Sequence, residues 1–385
     1  MRLAITVAAL AAAHTSDDVF WELARTAVGA RPADSVVHSR FDGWLETHLD
    51  VVVVSDQVEK ARRLDVAALP RRPIIGLRAD KHNASALCAF ADPDGGGARL
   101  LEKASHVQAY ALASLGTAAA GSPFHPHILA TLDRTCLHRL AKLLASPKLE
   151  TWFVAQHWPP AGDLEKATRA HLRKFVQIPL GLHGYTHKDL PGLAPADWSK
   201  IVALPSNRTE LVASHVSLHS VGRKSGFAAL QNALRPSSRK ESKDGGHGGF
   251  DLDNVFPIVG GGAHATKSNN RSGKLKLHPS DFLEYHASLR RAKFVYSPIG
   301  SGLDCHRHYE ALLFGAIPLI EYEPTLVELL HPFPIVFVRD WRDARAPRLR
   351  QLWTKARARA ATYDYAELAR DVWVRRVVAF REGAV

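Results

Sequence analysis

Two kinds of apolar pattern alternate along this chain. Short, largely apolar runs recur at Val51–Val54, Pro73–Leu77, Thr151–Gln156, Lys174–Leu180, Glu210–Leu218, Lys293–Ser297, Ile317–Ile320 and Ile335–Val338. Runs of that length, rich in β-branched residues, read as strands buried on both faces of a parallel sheet. His127–Thr131 reads as a further short strand leading into Asp133. Between them lie segments with helical spacing: Asp17–Val28, Val107–Leu115, Leu137–Leu144, Phe227–Leu234, Phe282–Ala292, Asp304–Phe314 and Leu326–Leu330. Strands alternating with helices at this interval predict an α/β chain with parallel, doubly wound sheets.

The pattern breaks twice. One break, near Gly181–Leu190, predicts an amino-terminal domain over 1–185 and a second over 186–345. Within the second, Arg235–Phe250 is polar and glycine-rich, which predicts a flexible insertion at 235–250. From 346 to 385 the chain is basic and helical, with Trp353, Tyr363, Tyr365, Trp373 and Phe380 as packing residues, and predicts closing helices that cross back to the first domain.

Composition narrows the classes of function. The 385 residues suffice for two cores, and 46% apolar with 23% charged residues is the balance of a globular protein. A net charge of +12 suits a protein that handles anions. The cations are dispersed apart from Arg235–Lys243 and the last helices, and aromatics are not interleaved with them, which argues against nucleic acid as partner. Three cysteines allow at most one bridge. The first residues carry two readings, a signal segment over 1–15 or a buried strand at Leu3–Val7. Sequons at Asn83, Asn207 and Asn270 agree with secretion.

The chemistry concentrates in Ala292–Ile320. A buried strand ends at Ser297-Pro298, and the turn Gly300-Ser301-Gly302 delivers the chain into a helix closed by Gly315. Ligands of parallel sheets sit where strand ends meet helix amino termini, and free N–H groups there favour phosphate. Asp304, Arg307 and Glu310 recur every three residues and share one helix side. Arg307 has the fork for a diphosphate, His306 a further phosphate contact, and Glu310 the acceptors for a ribose diol. The same residues also suit an N-capped helix with a surface ion pair.

The segment resembles the signature of exostosin-like glycosyltransferases, including relatives of the ribitol xylosyltransferase type. The matching residues are Ser297-Pro298, Gly300 and Gly302, Asp304-Cys305-His306-Arg307, Glu310-Ala311-Leu312 and Gly315-Ala316-Ile317-Pro318. Ser146-Pro147-Lys148-Leu149, Trp152-Phe153, Ile178-Pro179-Leu180-Gly181-Leu182, Pro334-Ile335-Val336 and Asp340-Trp341 extend the likeness over roughly His127–Trp341. What the resemblance implies is a GT-B-like fold, two Rossmann-like domains facing across a cleft. The second would bind a UDP-linked sugar and the first a glycan or glycoprotein acceptor, in the secretory pathway or Golgi, with inversion at the anomeric carbon.

Such a transfer needs a base on the acceptor hydroxyl and positive charge on the leaving diphosphate. Arg307 fits the second role. Asp133, just past a first-domain strand, is the candidate base, with His157 and His125 as chemical alternatives. The turn Ser220–Lys224 precedes a helix and offers Gly222, Arg223 and Lys224 as further phosphate ligands. Asp92-Pro93-Asp94 and Asp251-Leu252-Asp253 spell the pair that binds Mn²⁺ or Mg²⁺ in another transferase fold, but both read as turns. No metal is then required if Arg307 and the helix end neutralise the diphosphate.

Overall fold

The computed structural model describes residues 18–29, 48–54, 57–78, 85–102, 104–115, 132–154, 169–182, 202–203, 207–214, 221–235, 279–300 and 302–383. The expected strand at His127–Thr131, most of the insertion at 235–250, His125, His157 and the pair Asp251/Asp253 lie outside these residues. So do the first residues, with their two readings, and the sequons at Asn83 and Asn270. The fold is mixed α/β, built on two parallel sheets.

The first sheet contains β1 (Val51–Val54), β2 (Ile74–Arg78), β3 (Tyr110–Leu115), β4 (Leu149–Val154) and β5 (Phe175–Gln177), in that spatial order. Every neighbouring pair is parallel. Its core gathers Val53, Ile75, Leu77, Leu112, Trp152 and Val154 from the strands. Around them pack Phe90 of α3 (Ser85–Ala91), Leu100 of α4 (Gly96–Glu102), and Leu140 and Leu144 of α5 (Arg134–Ala145); α2 (Val58–Arg62) adds Ala61. A disulfide joins Cys88 of α3 to Cys136 of α5.

One element is corrected. Val107–Leu115 carries helical spacing, yet Tyr110–Leu115 is a strand between β2 and β4. Tyr110 to Ser114 are all buried, alternate faces included. Partners supplied by distant segments outweigh the modest local preference of alanine and leucine for helix.

The second sheet runs β6 (Glu210–Ser214), β7 (Ala292–Tyr296), β8 (Ile317–Glu321), β9 (Val336–Val338), again all parallel. It carries α6 (Val221–Leu234), α7 (Pro279–Arg291), α8 (His306–Leu313), α9 (Pro324–Leu330) and α10 (Ala346–Ala358). Among the described strands, neither sheet reverses its order. Among these strands no switch point of a doubly wound sheet is seen.

Helix α1 (Val19–Val28) belongs to the unit of the second sheet, not to the first domain in which the sequence boundary at 185 placed it. Packing and charge both hold it there: Phe20 meets the Trp353 ring edge-on at 5.3 Å and Trp21 stacks on Phe314. Asp18, at its start, is buried with Oδ1 2.7 Å from Arg208 Nη2 and Oδ2 2.6 Å from Arg290 Nη1. Arg208 also donates to the carbonyls of Leu289, Ala292 and Phe314, and Arg290 stacks 4.2 Å above the Trp21 ring. Gly315 closes α8 at φ 74°, where a Cβ would also stand 2.4 Å from Arg208 Nη2. Only glycine combines that conformation with that approach.

The closing helix α11 (Arg370–Ala379) belongs to the unit of the first sheet. Just past it, Phe380 carbonyl accepts from Arg72 Nε at 2.7 Å, and Arg381 Nη2 donates to the His48 carbonyl and Asp50. Trp353, Tyr365, Trp373 and Phe380 are all buried, as their aromatic character predicted. Among the described residues no helix is long and apolar enough to cross a membrane.

Candidate functional site

The carboxyl edge of the second sheet is where the chemistry-bearing residues meet. Strand β7 ends at Tyr296, paired with Ser214 at the end of β6 and Leu319 in β8. Parallel pairing puts these ends on one side, with the loops into α6 and α8.

Ser297 is fully buried and anchors the chain as it leaves β7. Its N–H donates to the Leu319 carbonyl, and its hydroxyl lies 2.7 Å from His308 Nδ1. Its side chain therefore orients α8 and is not presented to a ligand. Ile299 is held from two sides: its N–H donates to Glu321 Oε2 at 2.6 Å, and its carbonyl accepts from Arg223 Nε at 3.1 Å. Beyond it Gly300 N–H donates to the Gly302 carbonyl at 3.0 Å, which makes the expected glycine turn real.

Asp304 departs from expectation. Helix α8 starts at His306 with Cys305 in the cap position, and no side chain caps it. Asp304 is buried, and its Oδ2 accepts from Leu180 N–H at 2.7 Å, within the unit of the first sheet. A carboxylate so engaged would also repel a phosphate. Its job is to fix the loop.

Arg307 stands in the first turn of α8, half-buried, with Nη1 3.8 Å from Cys305 Sγ. Its Nε is buried and meets no acceptor among the described residues. Burial opposes its charge, but Cys305, Tyr285, Glu310 and Tyr296 outweigh that and hold the guanidinium above its usual range. It is a permanent cation with an unused donor. Glu310, one turn on, accepts from the Tyr285 hydroxyl through Oε2 at 2.5 Å, so Arg307 and Glu310 are not the self-contained pair that the capping alternative required. His306 opens the helix, half-buried.

Gly222, Arg223 and Lys224 are not a turn before a helix. Helix α6 begins at Val221, so all three lie in its first turn. Arg223 faces the site, since its carbonyl accepts from Tyr296 Oη at 3.1 Å while its Nε reaches Ile299. Lys224 is exposed. Gly226 is required by close approach: a Cβ there would stand 2.8 Å from Tyr296 Oη and 2.9 Å from Trp341 Nε1.

Four residues of this edge carry no signal in local spacing. Tyr285 and Tyr296 are separated by a helix end, and Glu321 closes β8, with Oε1 accepting from Trp341 Nε1 at 3.3 Å. Tyr296 and Trp341 pack edge to face at 4.7 Å. The resemblance touched two of them, Glu321 at the end of the signature segment and Trp341 in the Asp340-Trp341 dipeptide.

Asp133 lies elsewhere. It is exposed and caps α5, its Oδ1 accepting from Cys136 N–H at 2.6 Å. That is a structural occupation for the candidate base. Asp92 is ion-paired to Arg139 and lies 3.6 Å from Arg62, so its carboxylate is already neutralised. Among the described residues no cluster of three or more His, Cys, Asp or Glu is arranged to hold a metal.

Residues 271–360 match the family described as the RXYLT1 C-terminal domain. The match spans α7 to the end of α10 and includes Tyr285, Arg307, Glu310, Glu321 and Trp341. It relates this segment to glycosyltransferases, in agreement with the xylosyltransferase likeness of the signature. No curated protein matches the chain.

Proposed function

We propose that this chain, with its glycosyltransferase-related segment 271–360, transfers a sugar from a nucleotide diphosphate, UDP-linked, to a glycan hydroxyl with inversion. The observation that carries the reading is the Arg307 guanidinium: charged, half-buried at a helix amino end, and with Nε unpaired among the described residues. The diphosphate lies against that fork and the α8 amino end, with His306 and the Gly300–Gly302 turn beside it. Glu310 accepts from the ribose hydroxyls through the oxygen that Tyr285 does not use. Arg223 adds positive charge from the first turn of α6, which also carries Gly222 and Lys224.

Departure of the nucleotide leaves two negative charges on its terminal phosphate side. A fixed guanidinium stabilises that charge more in the transition state than in the ground state, and this is its catalytic contribution. The role needs no metal, although Mn²⁺ or Mg²⁺ would supplement it. Asp133 is retained as base or acceptor ligand only if its cap is released. A GT-B arrangement is supported by two separate parallel α/β units and a last helix that returns to the first. A secretory-pathway location is supported by the Cys88–Cys136 disulfide, since such bonds persist in oxidising compartments.

Thermal-shift titration with UDP-, GDP- and CMP-sugars, each with Mn²⁺ and with chelator, tests the reading. A ligand at 100 times its Kd stabilises by about 2.7 kcal/mol. UDP-sugars should do so in chelator, and Arg307→Ala should abolish the shift while the free protein melts normally. Wild type that ignores every nucleotide would end the proposal. UDP binding without turnover across many acceptors would favour a catalytically silent partner of the same fold.

A further inference from the structure

The three residues Asn207-Arg208-Thr209 enter β6 with alternating exposure: Asn207 and Thr209 are exposed and Arg208 is buried. In extended chain, residues two apart share a face, so the Asn207 amide and Thr209 hydroxyl stand together on the solvent side. Arg208 holds that orientation from beneath through Asp18 and the carbonyls of Leu289, Ala292 and Phe314. The asparagine lies at the amino end of its strand, the edge of the sheet opposite Ser297 and Arg307, so a bulky group there leaves the nucleotide site clear.

We propose that Asn207 is an N-glycosylation site. The donor class is a lipid-pyrophosphate-linked oligosaccharide, used by the host's membrane transferase. The amide nitrogen bonds to the anomeric carbon and gives up one proton; the bond from that carbon to the lipid pyrophosphate breaks, and the pyrophosphate leaves. Transfer precedes folding, before Arg208 is drawn into the core. The inference rests on the secretory-pathway part of the reading above, not on the nucleotide site.

The test uses the full chain carrying Asn83→Gln and Asn270→Gln, translated with endoplasmic-reticulum microsomes. Protease protection reports translocation, and a gel step removed by peptide-N-glycosidase reports the glycan. A protected chain should show one complete step, lost in Asn207→Gln and Thr209→Ala and kept in Thr209→Ser. A protected chain without the step overturns the proposal. An unprotected chain counts against the secretory reading alone; the same chain behind an appended signal peptide then decides the site.

Discussion

The hydroxyl of Tyr285 donates to Glu310 Oε2 across 2.5 Å, tying the helix before β7 to the helix after it. The bond fixes which carboxylate oxygen Glu310 turns outward. Burial pushes the Tyr285 phenol well above its ordinary range, and the Glu310 charge adds to that against Arg307. The phenol therefore stays a donor at any physiological pH.

If Glu310 reads a ribose, Tyr285→Phe loosens that reading without touching the phosphate. Loss of a hydrogen bond to a charged group is worth about 1.5–3 kcal/mol at most, and a part of it reaches the ligand. We expect UDP affinity to fall about three- to tenfold. Affinity for the 2′,3′-dideoxy analogue should hardly move. Calorimetry with both nucleotides checks this; equal losses for the two would assign Tyr285 to general packing.

Alkaline pH should unfold the protein early. Tyr285, Tyr296 and Tyr365 are all held above the usual phenol range, by burial first. Their raised folded values favour the neutral form, so the stabilisation is complete below the unfolded value near 10 and is lost as pH rises through the folded values. Denaturant midpoints should hold up to about pH 9 and then decline. A flat profile through pH 11 would contradict the burial of these phenols.

Asp18→Asn should be among the costliest substitutions in the chain. It takes the Asp18 carboxylate away from Arg208 and Arg290, both buried. Breaking a buried pair from one side costs about 3–5 kcal/mol. Burial pulls Arg208 down to about 10 even against the lift that Asp18 supplies. Urea unfolding measures the loss, and a change under 1 kcal/mol, the size of an exposed pair, would count against the description.

Removing the Cys88–Cys136 bridge with Cys88→Ser/Cys136→Ser should cost stability without altering nucleotide affinity. Its sequence separation of 48 residues gives about 4 kcal/mol in the chain-entropy account, of which a part is commonly realised. Unfolding with and without reductant gives the number. Insensitivity to reductant in the wild type would mean the thiols are not joined in solution.

Much of the second sheet was legible along the chain. The apolar runs Lys293–Ser297 and Ile317–Ile320 predict strands and lie within a residue of β7 and β8; Gly315 predicts a helix stop and closes α8. These signals are local: unbroken apolar runs, helical spacing and a glycine where φ turns positive. Tyr110–Leu115 shows the limit, because its alanines and leucines satisfy a helix until β2 and β4 supply partners on both sides. Asp304 shows another, since nothing beside it in sequence announces Leu180 as its partner.

By itself, the order of residues determined that this protein has parallel α/β units, and that a glycine turn leads into a helix bearing Arg307 and Glu310. Both follow from periodicity and from conformations that one or two residues impose. Only the tertiary structure decided that Asp18 ties α1 to the second sheet and that Leu180 holds Asp304. It likewise decided that Tyr285 orients Glu310. These are contacts across tens to hundreds of positions, and their strength comes from shared burial, which no local window of sequence contains.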